Sequence, residues 1–216
     1  MTRVLYLYGL SSKPGGYKAT TLRHAGFQVE EPVLPMPDWR AIDMAGLLRR
    51  DAPLFDIGPA REIAQEAADR FEPDVIVGSS LGGAVGITIQ SPAARVLIAP
   101  AVECGAFSYR KKILNVERRI GVRTVILHAR QDELVPFEVS EEILQESATT
   151  SDPSEAAEAT IIERELENQG YTMHHGRLIR IGRDHQCNEP DPNDTWNRDP
   201  SPHRAMITAV KVLADL

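Results

Sequence analysis

The chain has 216 residues, 42% of them hydrophobic, and its 24 Lys and Arg against 31 Asp and Glu give a formal net charge of −7. That apolar content suits one globular domain spanning residues 1–216 with a sizeable core, and the acidic balance argues against a nucleic-acid or anionic-membrane partner, which would need clustered basic side chains. No apolar stretch approaches the roughly 20 residues that cross a bilayer, and two cysteines, Cys104 and Cys187, make no disulfide framework in a chain this long, so a soluble cytoplasmic protein with reduced thiols is expected.

The first element is a buried strand, "RVLYLY" (Arg3 to Tyr8), rather than a leader, because no small-residue cleavage site follows and Lys13 arrives early. A helical "YKATTLRHAG" and a weaker strand candidate "FQVEEP" (Phe27 to Pro32) come next, then helical period in "DWRAIDMAGLLRRD" and "GPAREIAQEAADRF". In the latter, Pro59 stands near the start and Ile63, Ala67 and Phe71 recur at i, i+4, i+8. "DVIVG" (Asp74 to Gly78), "RVLIAP" (Arg95 to Pro100) and "RTVILHA" (Arg123 to Ala129) are apolar at consecutive positions, the pattern of parallel strands covered on both faces.

Between and after these runs lie helical "LGGAVGITIQ", "SYRKKILNVERRI", "PFEVSEEILQES" and a terminal "SPHRAMITAVKVLADL". Residues 146–160 read as a surface loop before a helical "IIERELENQG"; "GRLIRIG" (Gly176 to Gly182) alternates like an edge strand, and 187–203 is a long irregular loop of the kind that often forms a lid. Strands alternating with helices predict a three-layer α/β fold, doubly wound around a mostly parallel sheet of about six strands. Ligands in such sheets bind beyond the carboxyl ends of the strands.

At one of those ends, "GSSLG" fits G-x-S-x-G with Gly78, Ser80 and Gly82, directly after a strand and before a small-residue helix, which is the context of a nucleophile elbow. The residues two before and two after such a serine must be small so that strand and helix can pass closely. Ser79 would have Val77 and Leu81 in those places, so the pattern selects Ser80. The stretch lacks both G-x-G-x-x-G and the lysine of a phosphate loop.

A serine hydroxyl needs a base and a carboxylate behind it, and the chain order for this architecture is Ser, then Asp or Glu, then His, each beyond a later strand. Asp132 follows "RTVILHAR" and His185 follows "GRLIRIG", which meets that order. Glu133 is the rival carboxylate, and Asp132 is open to a second reading as an ordinary cap for the helix near Pro136. His128 lies inside an apolar strand and reads as a buried, satisfied side chain; His174 and His175 precede the last strand, His24 sits on a surface helix, and His203 stands near a helix start. No Cys, His or Asp set has metal spacing, so neither metal nor cofactor is expected.

On "GSSLGG", "HARQDELVP", "GRDH" and "LYGLSSKPGGYK", the chain resembles the small, lidless, esterase-like α/β-hydrolases from Val4 to the terminal helix. The resemblance implies an oxyanion hole made by the backbone N–H of Leu81 and of Leu10, with Ser11 the neighbour of the latter. Many relatives carry histidine immediately before the glycine of that first loop, whereas this chain has Tyr8.

The implied activity is hydrolysis of a small-molecule acyl substrate, a short-chain ester or thioester, through Ser80, His185 and Asp132. The alternatives are a catalytically silent binding protein on the same fold and, among enzymes, a peptidase or amidase. About 20 residues separate "RVLIAP" from "RTVILHA"; they serve as a crossover and leave room for a small rim only, which points to a shallow pocket.

Overall fold

The five-residue runs of the sheet bury both faces, so every residue of β3 (Val75–Ser79), β4 (Ala94–Ile98) and β7 (Thr124–His128) is buried, as continuous apolar patterning requires. The computed structural model describes residues 1–10, 12–36, 56–104, 107–108, 123–132, 134–147, 153–174, 177–181 and 202–216. β1 (Arg3–Leu7) pairs with β2 (Gln28–Glu30) on one side and β3 on the other, and the seven strands run in the order β2-β1-β3-β4-β7-β9-β8. Six are parallel; β8 (Met173–His174) is antiparallel to β9 (Leu178–Arg180).

Two expectations change here. β9 is not the edge strand, because β8 covers it, and two residues are too few for β8 to show a pattern of its own. The stretch after β4 is also more than a crossover at its start: Glu103–Cys104 (β5) and Phe107–Ser108 (β6) form a small antiparallel ribbon, with Cys104 inside it. The helical segments expected at 38–51 and 108–120 fall almost wholly outside the described residues.

Helices cover both faces of the sheet. α1 (Tyr17–His24) and α5 (Pro153–Asn168) pack on α6 (Pro202–Ala214), which lies against β3, β4 and β7, while α2 (Gly58–Phe71) packs on α3 (Leu81–Ile87) and β1. α4 (Phe137–Ser147) contacts β7 and β9. α5 begins at Pro153, so the loop expected over 146–160 is shorter than its polar composition suggested; proline is at home in a first helical turn, and the run "SEAAEA" then sustains the helix.

Of the Ile63, Ala67, Phe71 stripe on α2, Ala67 is buried and Phe71 packs half-buried on the core, while Ile63 lies at the margin of the buried face. The buried residues of the helix are Ala60, Ala64, Ala67 and Ala68, with Ile63 36% exposed, because the alanine face lets α2 approach the small-residue helix α3.

α3 itself has little to hold it, with three glycines in seven residues. Its carboxyl end is closed by Arg95, a buried residue of β4 whose guanidinium donates to the carbonyls of Gly86 (3.2 Å), Ile89 (2.6 Å) and Ala93 (3.1 Å). A cation at a helix carboxyl end also complements the helix dipole. Arg95→Met keeps the aliphatic stem but strands those carbonyls; it is expected to lower unfolding free energy by about 2–4 kcal/mol, read from urea denaturation. A loss below about 0.5 kcal/mol, the range of a neutral surface change, would show that the carbonyls find other donors.

Candidate active site

Ser80 occupies the turn between β3 and α3 with φ 53° and ψ −121°, a conformation that costs a non-glycine residue about 1–3 kcal/mol. The turn is over-determined by hydrogen bonds. Ser80 N–H donates to Ile98 O (2.8 Å), and Ser80 O accepts from Gly83 (2.9 Å), Ala84 (3.2 Å) and Ala101 (3.0 Å).

Steric closeness explains the flanking glycines. A Cβ on Gly82 would stand 2.2 Å from Leu7 O, and one on Gly78 would stand 2.7 Å from Gly82 O. The loop after β1 also presses on the serine: a Cβ on Gly9 would lie 2.9 Å from Ser80 Cβ and 3.5 Å from Ser80 Oγ. That contact brings the Gly9 backbone alongside the hydroxyl. Leu81, the first residue of α3, presents its N–H at the helix start, and neither this N–H nor that of Leu10 has a hydrogen-bond partner among the described residues.

Ser79 turns the other way. It is buried and hydrogen-bonds the Tyr6 hydroxyl. Burial, and then the nearby Glu31 carboxylate, push the Tyr6 phenol well above its usual pKa, the Ser79 bond opposing them, so Tyr6 stays protonated and cannot act as a base. Tyr8, which stands where many relatives have histidine, is a fastening: its hydroxyl donates to Leu34 O (3.2 Å) and accepts from Leu34 N (2.7 Å). It thereby ties the start of the first loop to the segment after β2.

Asp132 follows β7 by four residues. Its Oδ1 accepts from the N–H groups of Leu134 and Val135, both at 2.8 Å; both residues lie in the loop before α4, so the carboxylate braces that loop instead of capping the helix as its second reading expected. Its Oδ2 lies 3.1 Å from His128 Nε2, and both side chains are fully buried. His128 is buried and satisfied, as its place in an apolar strand suggested, with Nδ1 2.7 Å from Ser140 Oγ and Nε2 3.1 Å from Val135 O. Its contact with Asp132 was not anticipated, although the H-x-x-x-D spacing at a strand end carried the signal.

His185, Glu133, Ser11 and Cys187 lie outside the described residues. Among the described histidines, His24 is exposed on α1 and His174 belongs to β8. His203 opens α6 edge-on to Tyr17 (centroids 4.6 Å apart), and burial, then Lys18, lower its pKa. No cluster of three His, Cys, Asp or Glu among the described residues could hold a metal ion, and no described helix is long and apolar enough to cross a membrane.

Residues 15–212 match the model of the "Alpha/beta hydrolase family". No curated protein sequence matches the chain. Among solved structures, it is similar to a protein of the alpha/beta hydrolase superfamily from Xanthomonas campestris pv. campestris (TM-score 0.55, 19% identity, 100% of each chain). It is also similar to a monoacylglycerol lipase of Paleococcus ferrophilus (0.57, 15% identity, 99% of this chain and 94% of the other) and to alpha/beta hydrolase domain-containing protein 10 from mouse (0.53, 14%, 99% and 89%).

Proposed function

The chain belongs to the alpha/beta hydrolase family, and from that premise we propose that it hydrolyses short-chain esters or thioesters with Ser80 as nucleophile, His185 as general base and Asp132 as the acid that orients it. The observation that carries this reading is the backbone at Ser80, a positive-φ turn from β3 into α3 held from four sides. Such a turn lifts a hydroxyl above the carboxyl edge of the sheet, and strain of this kind persists where function uses it.

In the proposed reaction Ser80 Oγ bonds to the substrate carbonyl carbon as its proton passes to the His185 imidazole. The tetrahedral oxyanion takes the N–H groups of Leu81 and Leu10. The bond to the alcohol or thiol then breaks, and that group leaves with the proton from His185. Water, deprotonated by the same imidazole, attacks the acyl-serine; its oxygen goes to the carboxylic acid and its proton returns to Ser80. Asp132 stays ionised throughout and stabilises the imidazolium.

A fluorophosphonate probe tests the reading directly, since it labels only an activated serine: the wild-type protein is expected to label at Ser80, and a folded protein that does not label would turn the reading toward a binding role. A graded p-nitrophenyl ester series tests the substrate class. With a crossover too short for a large cap, kcat/KM is expected to be at least about tenfold higher for acetate or butyrate esters than for palmitate; preference for the long chain would overturn the short-acyl assignment.

A further inference from the structure

We infer that His128 is a positioning residue: its Nε2–H fixes the rotation of the Asp132 carboxylate, and Ser140 fixes His128, so that the acid behind the catalytic imidazole is set from inside the core. The inference rests on the reading of Asp132 as the acid of the triad.

A carboxylate gripped at one oxygen can still swing, because rotation about Cβ–Cγ has a broad, two-fold profile. The Leu134 and Val135 N–H groups both grip Oδ1. His128 Nε2 lies 3.1 Å from Oδ2, so the carboxylate is held at both oxygens and its rotation is set. The same nitrogen is 3.1 Å from Val135 O, a group that only accepts, so Nε2 carries the proton.

The ring is pinned in turn. Ser140 Oγ engages Nδ1 at 2.7 Å, the Phe137 ring packs against it at 5.6 Å and 52°, and the His128 carbonyl accepts from Ile181 N–H at 2.9 Å. His128, Ser140 and the Asp132 side chain are fully buried, where water does not compete for these hydrogen bonds. A relay from α4 through β7 to the loop beyond it thus ends on the carboxylate.

The test measures kcat and KM for p-nitrophenyl acetate per titrated active site, with the pH profile of kcat/KM. His128→Leu is expected to lower kcat by about 10–100-fold, the cost of a misplaced catalytic group, with KM little changed. The acid limb of the profile should move to lower pH, because a carboxylate that no longer faces the imidazole stabilises its charged form less. His128→Gln, which offers an N–H near the same point, should return kcat close to wild type. Ser140→Ala should show the same changes at smaller size, and decides the question if His128→Leu does not fold.

In an Asp132→Asn background His128→Leu should add no further loss. The inference is overturned if His128→Leu or Ser140→Ala lowers the melting temperature yet leaves kcat and the acid limb unchanged, or if His128→Leu costs the same factor with and without Asp132. A wild-type protein that labels at Ser80 while Asp132→Asn keeps the full rate would instead bring down the triad assignment, and this positioning with it.

Discussion

Ser80→Ala is expected to lower turnover of p-nitrophenyl acetate by on the order of 10⁴-fold or more and to abolish fluorophosphonate labelling, with the circular dichroism spectrum and melting profile preserved. The methyl group keeps the same backbone strain, so folding is not the cause of the loss. Ser80→Gly separates the two effects further. It should be equally inactive but about 1 kcal/mol more stable, because glycine adopts φ 53° without the clash that a Cβ meets there. A Ser80→Ala protein that still turns over ester would move the nucleophile elsewhere.

Gly82→Ala is the second large effect. The added Cβ would stand 2.2 Å from Leu7 O and 2.5 Å from both Leu7 C and Tyr8 O, all backbone atoms at the end of β1 and the residue after it, which cannot swing aside as a side chain can. α3 must lift, at an expected cost of about 3–5 kcal/mol, and the hydroxyl moves with it, so activity in whatever remains folded should fall at least about 100-fold. Gly86→Ala is the control on the same helix. Its Cβ would meet Ile76 Cγ2 and Leu7 Cδ1 at 3.6 Å, ordinary contact distances, so it should be neutral or stabilising by up to about 1 kcal/mol. Urea denaturation of the pair checks both; equal stability of the two variants would defeat the close-approach account of the elbow.

These effects trace to a pattern readable in the residues. The parallel strands were legible because burial on both faces leaves no polar alternation, and the Ser80 turn because only small residues allow β3 and α3 to pass so closely. Asp132 lies four residues beyond β7, the place that its position after "RTVILHAR" gave it, but its bonds to Leu134 and Val135 brace the loop and not the helix. What escaped was tertiary in origin. The Ile63, Ala67, Phe71 spacing announced a helix but not that the alanines of α2 form the face that meets glycine-rich α3. β8 is two residues long and exists through its pairing with β9. The links from Tyr8 to Leu34 and from His128 to Asp132 join a strand to a loop, and neither period nor propensity encodes such a bond, although the four-residue spacing of the second one hinted at it.

The guanidinium of Arg95 fastened over the end of α3 has a consequence for how reactivity arises as the chain folds. That helix has almost no intrinsic tendency to form, and its two ends are completed by groups from a neighbouring strand and the loop that follows it: Ile98 O and Ala101 N–H at the start, Arg95 at the finish. A nascent or partly assembled chain therefore has the serine but not its turn. The positive-φ turn at Ser80 is completed only when the fourth strand docks, so the reactivity proposed for its hydroxyl would belong to the assembled sheet and not to a chain still lacking that strand.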